Sequence, residues 1–326
     1  MNIGTVEFRN QAIFLAPMEK ITEHSFRYMC KLFGADMVYT EFVSSDVLIC
    51  EGKKSLAKLE IDNDEKPIGI QIYGHILEAM QEAAIIAERA KPDIIDINFG
   101  CPAKKIVGRG AGAGMLKDVD KIVEITKAIV NTVKLPVTVK TRLGWDDHSK
   151  NIIDIAERLQ DVGIKAITIH GRTAKQLYEG VADWELIGAI KNNPRMKIPI
   201  IGNGDIDSAT LAKEMFDRYG IDAIMIGRAT IGKPWLFKEI KQYLDTGVFL
   251  PPLTIKEMVE IAKIHFQKSI DFKEGERGMF EMRRYFSLYF KNLPNFEKMR
   301  FRLLTSKCNE EILLILREIE EKYEGL

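Results

Sequence analysis

The chain has 326 residues, which suits one large domain with an appendage or two average domains. Its 47 lysines and arginines balance 47 aspartates and glutamates, so no overall charge indicates binding to nucleic acid or a membrane, and such partners must be read from local patterns. The four cysteines are far apart without a CxxC pair, so we expect no disulfide framework and no zinc site. No apolar run reaches the roughly 18 residues of a membrane span, and we expect a cytoplasmic protein.

Short apolar runs with strand character alternate with amphipathic helical stretches over most of the chain. The predicted strands start near residues 13, 37, 68, 94, 137, 166, 198 and 223. Such alternation is typical of repeated βαβ units around a parallel sheet. Eight units predict the α/β fold class and a closed (β/α)8 TIM barrel, with a doubly wound open sheet as the alternative.

The pattern changes after about Leu244. A proline-containing linker follows, and from Thr254 onward glycine is scarce and the apolar spacing is purely helical. Thr254 and Glu257 fit a capping box that starts a helix, which indicates a small all-helical C-terminal domain. The predicted divisions are a barrel domain over residues 1–244, a linker over 245–253 and a helical domain over 254–326.

The segment Pro92–Leu116 carries the strongest chemical signal. Its short apolar strand is followed closely by Cys101, which the next proline holds in place. Glycines at every second position from Gly108 to Gly114 allow the backbone to approach a bulky ligand. A catalytic thiol is one interpretation, and an inert buried cysteine beside a solvated basic turn is the other.

Polar residues and glycines follow the carboxyl ends of most predicted strands, the face that carries the active site in barrel enzymes. The loops after the last two strands, at Asn203–Asp205 and Gly227-Arg228, favour phosphate binding through backbone N–H groups or are ordinary turns. Lys140, at another strand end, suits either a Schiff base or a donor to an anionic ring.

The amides of Gln71 and Asn98 stand at equivalent strand ends. Each can pair with the edges of a pyrimidine or flavin ring, or can cap loop backbone. His170 is the only histidine at a predicted strand end. Histidines, cysteines and acidic residues are not clustered at ligand spacing, so no metal site is predicted.

Taken together, these segments resemble the tRNA-dihydrouridine synthases, with the bacterial branch B enzymes most similar. The segments are Ala16–Met18, Gln71–Gly74, Asn98–Lys105, Lys140–Trp145, His170–Thr173, Gly202–Asp205 and Gly227-Arg228. They occur in the order of that family, from the first strand to about Trp235. The helical region lies where the family carries its tRNA-binding domain.

The resemblance implies an enzyme that reduces the C5=C6 bond of uridine in tRNA through FMN, with NADPH as the usual reductant. It implies that Cys101 donates the proton and that Asn98 contacts the target base. Lys104 or Lys105 would lower the pKa of this thiol if they lie close to it. The implied FMN ligands are Ala16, Pro17, Met18, Gln71, Lys140, His170, Asn203, Gly204, Asp205, Gly227 and Arg228. No protein partner is predicted.

Residues 277–307 combine basic and aromatic side chains. They hold eight lysines and arginines against two acidic residues. The aromatic residues have helical spacing, which is typical of core, and the basic residues form either a solvated face or an RNA contact. Because a tRNA substrate needs such a contact, the predicted RNA ligands are Arg283, Arg284, Lys298 and Arg300.

Three other functions remain open from the sequence. An FMN barrel similar to dihydroorotate dehydrogenase would act on a free pyrimidine and would not need the helical region. A class I aldolase would use Lys140 and would be colourless. A non-enzymatic tRNA-binding protein would carry no flavin, so a spectrum of the purified protein separates the last two from a flavoenzyme.

Overall fold

The computed structural model describes residues 1–50, 52–273 and 276–325. The strands are β1 (Asn2–Ile3), β2 (Val6–Glu7), β3 (Ala12–Leu15), β4 (Val38–Tyr39), β5 (Val43–Ser44), β6 (Ile68–Tyr73), β7 (Ile94–Asn98), β8 (Val137–Arg142), β9 (Ala166–His170), β10 (Ile200–Asn203) and β11 (Ala223–Ile226). The helices are α1 (His24–Leu32), α2 (Ser45–Leu48), α3 (Lys53–Leu56), α4 (Leu77–Arg89), α5 (Lys104–Val107), α6 (Val119–Thr132), α7 (Ile152–Asp161), α8 (Glu185–Lys191), α9 (Ala209–Tyr219), α10 (Leu236–Thr246), α11 (Ile255–Phe272), α12 (Arg277–Tyr289), α13 (Glu297–Thr305) and α14 (Asn309–Lys322).

The strands from β3 onward form one parallel sheet that closes on itself. Around the ring the order is β3, β11, β10, β9, β8, β7, β6 and β4, and β5 also pairs with β6. The ring closes where the Leu15 amide donates to the Met37 carbonyl at 2.9 Å, beside a bridge between Phe14 and Met37. The predicted (β/α)8 TIM barrel is therefore confirmed. The open-sheet alternative is wrong because β3 and β4, the two ends of this order, meet and close the ring.

Two apolar cores follow from the alternation of side chains along each strand. Residues that point into the barrel form one cluster, in which the Phe8 ring lies 5.0 Å from the Phe14 ring. Residues that point outward pack under the apolar faces of the surrounding helices. Since the interior is filled by apolar side chains lower down, the polar residues at the strand ends line the mouth of the barrel.

Helices α11 to α14 follow the barrel. The predicted capping box is present at the start of α11, where the Thr254 amide donates to Glu257 Oε2 at 2.8 Å and the Glu257 amide donates to Thr254 Oγ1 at 3.2 Å. Helix α10 continues to Thr246, two residues past the predicted end of the barrel domain. We propose that residues 245–253 connect two domains. Among the described helices, none is long and apolar enough to cross a membrane.

The helical region is attached to the barrel through α1 and the loop before it. The Tyr285 hydroxyl donates to the Ile21 carbonyl at 2.6 Å. The imidazole of His265 lies between Ser25 Oγ at 3.2 Å and the Tyr289 hydroxyl at 3.0 Å, and burial lowers its pKa to about 3, so the ring is neutral. These contacts bring α12 next to the loop that follows β3.

Candidate functional site

A cavity with a volume of about 1020 Å³ opens at the carboxyl ends of the barrel strands. Segments that follow β3, β7, β8, β9, β10 and β11 line it. The predicted site residues among its lining are Ala16, Pro17, Met18, Asn98, Cys101, Lys140, His170, Asn203, Gly204, Asp205, Gly227 and Arg228. Residues far apart in the sequence thus meet in one place, as the strand-end positions predict.

Gln71 is the one predicted cofactor ligand that does not line the cavity. Its side chain is fully buried below the mouth of the barrel, where its Nε2 donates to Asp96 Oδ2 at 2.6 Å and its Oε1 accepts from Asn98 Nδ2 at 2.8 Å. Asn98 Oδ1 in turn accepts from the amides of Gly100 and Cys101, each at 2.9 Å. The side-chain amides of Gln71 and Asn98 therefore support the segment that carries the thiol.

Asp96 was not singled out from the sequence. It is 1% exposed, and burial raises its pKa to about 6 although Gln71 and Thr138 both donate to it. Its signal in the sequence is that a charged residue interrupts the apolar run of β7. A charge in such a run is rare without a partner, because burying an unpaired carboxylate is costly.

The Cys101 thiol faces the cavity, and burial raises its pKa above the ordinary value. A backbone hydrogen bond at Ala103 and the charges of Arg142 and Lys140 lower the pKa by less. The cations that lower the pKa of the thiol, Arg142 and Lys140, lie on β8, and an effect of Lys104 or Lys105 stays a prediction. The thiol stays protonated at neutral pH, which suits an acid and does not suit a nucleophile.

Lys140 extends from β8 into the cavity and donates to Asn203 Oδ1 at 3.0 Å. Asn203 is itself oriented because its Nδ2 donates to the Met225 carbonyl at 2.7 Å. Burial first and the charge of Arg142 second lower the pKa of Lys140 to about 8, while Asp96 opposes this change. The ammonium is mainly protonated at pH 7 and offers a cation at the floor of the cavity.

The loops after β9 and β10 are joined by an ion pair between the buried Arg172 and the half-buried Asp205. Arg172 donates to both oxygens of Asp205, at 2.8 and 2.7 Å, and the Ala182 amide donates to the same carboxylate at 2.7 Å. Partial burial raises the pKa of Asp205, but Arg172 and Ala182 outweigh it and hold the pKa below its usual range. Asp205 thus serves the loop structure, and Arg172 is a positioning residue that the sequence pattern did not single out.

His170 and Arg228 stand on either side of this pair. The His170 ring accepts from Arg172 Nη1 at 3.3 Å, and burial together with the surrounding cations lowers its pKa far below the usual range, so it is neutral. The Arg228 side chain is 58% exposed, lies 4.7 Å from the Tyr178 ring and is 3.5 Å from Asp205. Its exposed guanidinium remains available for an anion.

The four predicted RNA ligands differ in their surroundings. Arg283 Nη2 donates to the Ser306 carbonyl at 2.9 Å and its guanidinium lies 4.5 Å from the Phe280 ring, so this side chain also serves packing. Arg284 is partly buried beside Tyr285. Lys298 and Arg300 are exposed on α13. Within the described residues, no group of three or more histidines, cysteines and acidic residues could hold a metal ion.

Comparisons with known proteins agree with this arrangement. A sequence model of the dihydrouridine synthase family matches residues 14–321. The chain is 39% identical to tRNA-dihydrouridine synthase B of Pseudomonas aeruginosa, covering 92% of this chain and 90% of the relative. It is 41% identical to tRNA-dihydrouridine synthase B of Proteus vulgaris, covering 89% of each. A probable tRNA-dihydrouridine synthase of Rickettsia conorii is 40% identical, covering 92% of this chain and 90% of that protein.

Two solved structures share the fold at low sequence identity. Histamine dehydrogenase from Rhizobium sp. 4-9 superposes with a TM-score of 0.58 at 12% identity, covering 82% of this chain and 50% of the other. A 2-naphthoyl-CoA reductase superposes with a TM-score of 0.59 at 14% identity, covering 74% of this chain and 51% of the other.

Proposed function

Because this chain belongs to the dihydrouridine synthase family, we propose that it reduces the C5=C6 bond of uridine in tRNA through FMN, with NADPH as the reductant. One observation carries the proposal. A protonated thiol, a buried ammonium and a glycine-rich pair of loops with an exposed arginine line the same cavity. Because the proposed substrate is tRNA, we also propose a cytoplasmic location.

The residues of the cavity fit FMN. A Cβ atom on Gly227 would meet Met18 Sδ at 3.4 Å and Ala16 Cβ at 3.5 Å, so this backbone leaves space that a side chain would occupy. Arg228 and the loop amides supply donors for a phosphate. Lys140 supplies a cation for an anionic ring edge. The volume is at the upper limit of the roughly 300–1,000 Å³ of ligand pockets, which leaves room for a second ring.

Cys101 is the proton donor in this proposal. Bound FMN would supply a hydride to C6 of the uracil ring, and reduction is completed by a proton at C5. Cys101 suits this role because burial keeps its thiol protonated, and it loses one proton that solvent must return. Asn98, which also lines the cavity, holds the Cys101 amide and so restricts where the thiol points.

The helical region is proposed to hold the tRNA while one nucleotide enters the cavity. A base must leave its stack to reach the mouth of a barrel. The Tyr285 contact to Ile21 places α12 beside residues that line the cavity, and the exposed Lys298 and Arg300 follow on α13. Together with Arg283 and Arg284, they are the proposed RNA ligands. We propose that the reaction uses no metal ion and needs no protein partner.

The proposal is tested with two half-reactions. The purified protein should show a bound-flavin spectrum, NADPH should reduce the flavin without oxygen, and unmodified tRNA should reoxidise it with formation of dihydrouridine. In Cys101→Ala and Cys101→Ser, reoxidation by tRNA should slow by roughly a hundred- to ten-thousand-fold, the usual value of general acid catalysis. Reduction by NADPH should stay near the wild-type rate.

The exposed Cys50 provides the matched control, since Cys50→Ala removes a thiol outside the cavity. A colourless protein would contradict the flavin and leave an RNA-binding or aldolase function. Reoxidation by free orotate or uridine at the tRNA rate would favour the dihydroorotate-dehydrogenase-like function. Normal reoxidation of Cys101→Ala by tRNA would assign the proton to another group.

A further inference from the structure

Asp96 is a buried carboxylate for which the proposed reaction has no direct use. It lies in the barrel interior, beneath the cavity and outside its lining. Its partners come from both neighbouring strands, because Gln71 of β6 and Thr138 of β8 are its register partners. The Thr138 hydroxyl donates to Oδ1 at 2.5 Å and Gln71 Nε2 donates to Oδ2 at 2.6 Å.

A continuous series of side-chain hydrogen bonds leads from this carboxylate to the thiol segment. Gln71 Oε1 accepts from Asn98 Nδ2 at 2.8 Å, and Asn98 Oδ1 accepts from the amides of Gly100 and Cys101. Gln71 and Asn98 are 0% and 5% exposed, so water has little access to these bonds. Each link is stronger in this dry interior than in water, and each unmade link would be costly.

The orientation of the Gln71 and Asn98 side-chain amides is determined by the groups at the two ends of the series. An ionised carboxylate only accepts, so Gln71 must turn its NH₂ group toward Asp96 and its oxygen toward Asn98. Backbone N–H groups only donate, so Asn98 must turn its oxygen toward Cys101 and its NH₂ group toward Gln71. Both requirements give the same arrangement. Without an acceptor at position 96, the Gln71 amide loses the partner that holds it under Asn98.

We propose that Asp96 is a positioning residue that acts through Gln71 and Asn98 to hold the Cys101 segment, and with it the thiol, at the cavity wall. The inference rests on the proposed function, because it presumes that Cys101 donates the proton. Asp96 itself does not line the cavity. A displacement of about 1 Å between reacting groups costs on the order of a hundredfold in rate, so the effect is measurable.

The test is a double-mutant cycle between position 96 and position 101. Asp96→Leu should slow single-turnover reoxidation of the reduced enzyme by tRNA by about 10- to 100-fold, while Asp96→Leu in the Cys101→Ala background should cause no further loss. The reason is that a missing thiol can no longer be misplaced. Equal losses in both backgrounds would overturn the proposal and indicate general damage, or an effect through the charge of Lys140.

Two further variants keep the test decisive. If Asp96→Leu does not fold, Gln71→Met interrupts the series while leaving the carboxylate in place, and its cycle with Cys101→Ala should show the same coupling. Ile97→Ala is the control for lost stability, because Ile97 belongs to the outer core and its neighbours along β7 point the opposite way. Its reoxidation rate should stay within about threefold of wild type, and a loss equal to that of Asp96→Leu would overturn the proposal.

If Cys101→Ala alone reoxidises at the normal rate, the proposed function has failed, whatever position 96 does. If Cys101→Ala is slow and the Asp96 effect is additive to it, only the positioning role has failed. The cycle therefore distinguishes the two failures.

Discussion

Replacement of Gly204 by alanine should both destabilise the protein and weaken flavin binding. Gly204 lies between Asn203 and Asp205 in the cavity lining, with a φ angle of +135° that side chains rarely adopt. An added Cβ would stand 2.6 Å from Ala182 Cβ and 3.3 Å from His170 Cδ2. Real Cβ atoms essentially never come within 3.0 Å of another atom, so the approach to Ala182 requires the turn or the loop after β9 to move.

The magnitude follows from two separate costs. The unfavourable backbone angle costs about 1–3 kcal/mol. Overpacking against Ala182 costs about 1–3 kcal/mol more, because the Asp205 pair with Arg172 and the Ala182 amide restricts how far the loop can yield. We expect a loss of about 2–6 kcal/mol in the free energy of unfolding, the sum of these two costs.

Gly220→Ala provides a matched control. Gly220 ends α9 with a φ angle of +62°, and an added Cβ there would have no atom within 4 Å. Only the left-handed backbone angle is then costly, at about 1 kcal/mol. The control gives the cost of a positive φ angle without a steric clash.

The assay is urea unfolding of both variants at the same flavin load, followed by a flavin-binding titration of the apoprotein. Gly204→Ala should unfold at a clearly lower urea concentration than Gly220→Ala and should bind FMN at least tenfold more weakly, while Gly220→Ala should bind FMN normally. The reasoning is refuted if the two variants lose equal stability, or if Gly204→Ala retains normal flavin affinity.

Three other predictions concern charge. Arg228→Ala should weaken FMN binding by about 10- to 100-fold, the value of a hydrogen bond to a charged group. An unchanged FMN affinity in a flavin titration would exclude a role of Arg228 in phosphate binding. Lys298→Ala combined with Arg300→Ala should weaken tRNA binding and lower its salt slope by about one per lost contact, so equal slopes in filter binding would exclude an RNA role. Burial raises the pKa of Glu23 to about 9, and the hydrogen bond and the charge of Glu281 add to this effect, so the Glu23 carboxyl is protonated in the folded protein at neutral pH. The unfolded chain releases this proton near pH 4.5, so the contribution of Glu23 to the free energy of unfolding falls as the pH rises from about 4.5 to about 9. Glu23→Gln should therefore raise the melting temperature more at pH 8.5 than at pH 5, and an equal gain at both pH values would contradict the shift.

The sequence by itself determined the architecture and most of the cavity lining. Predicted strand starts differ from the observed starts by no more than two residues, as at Ile200 against a predicted 198. The reason is that the alternation of buried strands and amphipathic helices is a local property of the chain. Once eight parallel strands close into a barrel, their carboxyl ends must meet, so the positions of Ala16, Cys101 and Gly227 at strand ends were enough to assign them to one site.

Only the tertiary structure decided how those residues act on one another. Gln71 and Lys140 look equivalent in the sequence as polar strand ends, yet Lys140 reaches the cavity and Gln71 is buried between Asp96 and Asn98. The register between β6, β7 and β8 sets these partners, and register depends on pairing between segments far apart in the chain.

The pKa of Cys101 shows the same limit. The sequence predicts a lower pKa only if Lys104 or Lys105 lies close to the thiol, whereas burial is the largest influence in the folded protein and raises the pKa. Desolvation is the sum over every group that excludes water from an atom, and most of those groups come from other strands. For this protein, the local pattern of the chain was sufficient to place the thiol at the site, and only the folded barrel determined that it remains an acid.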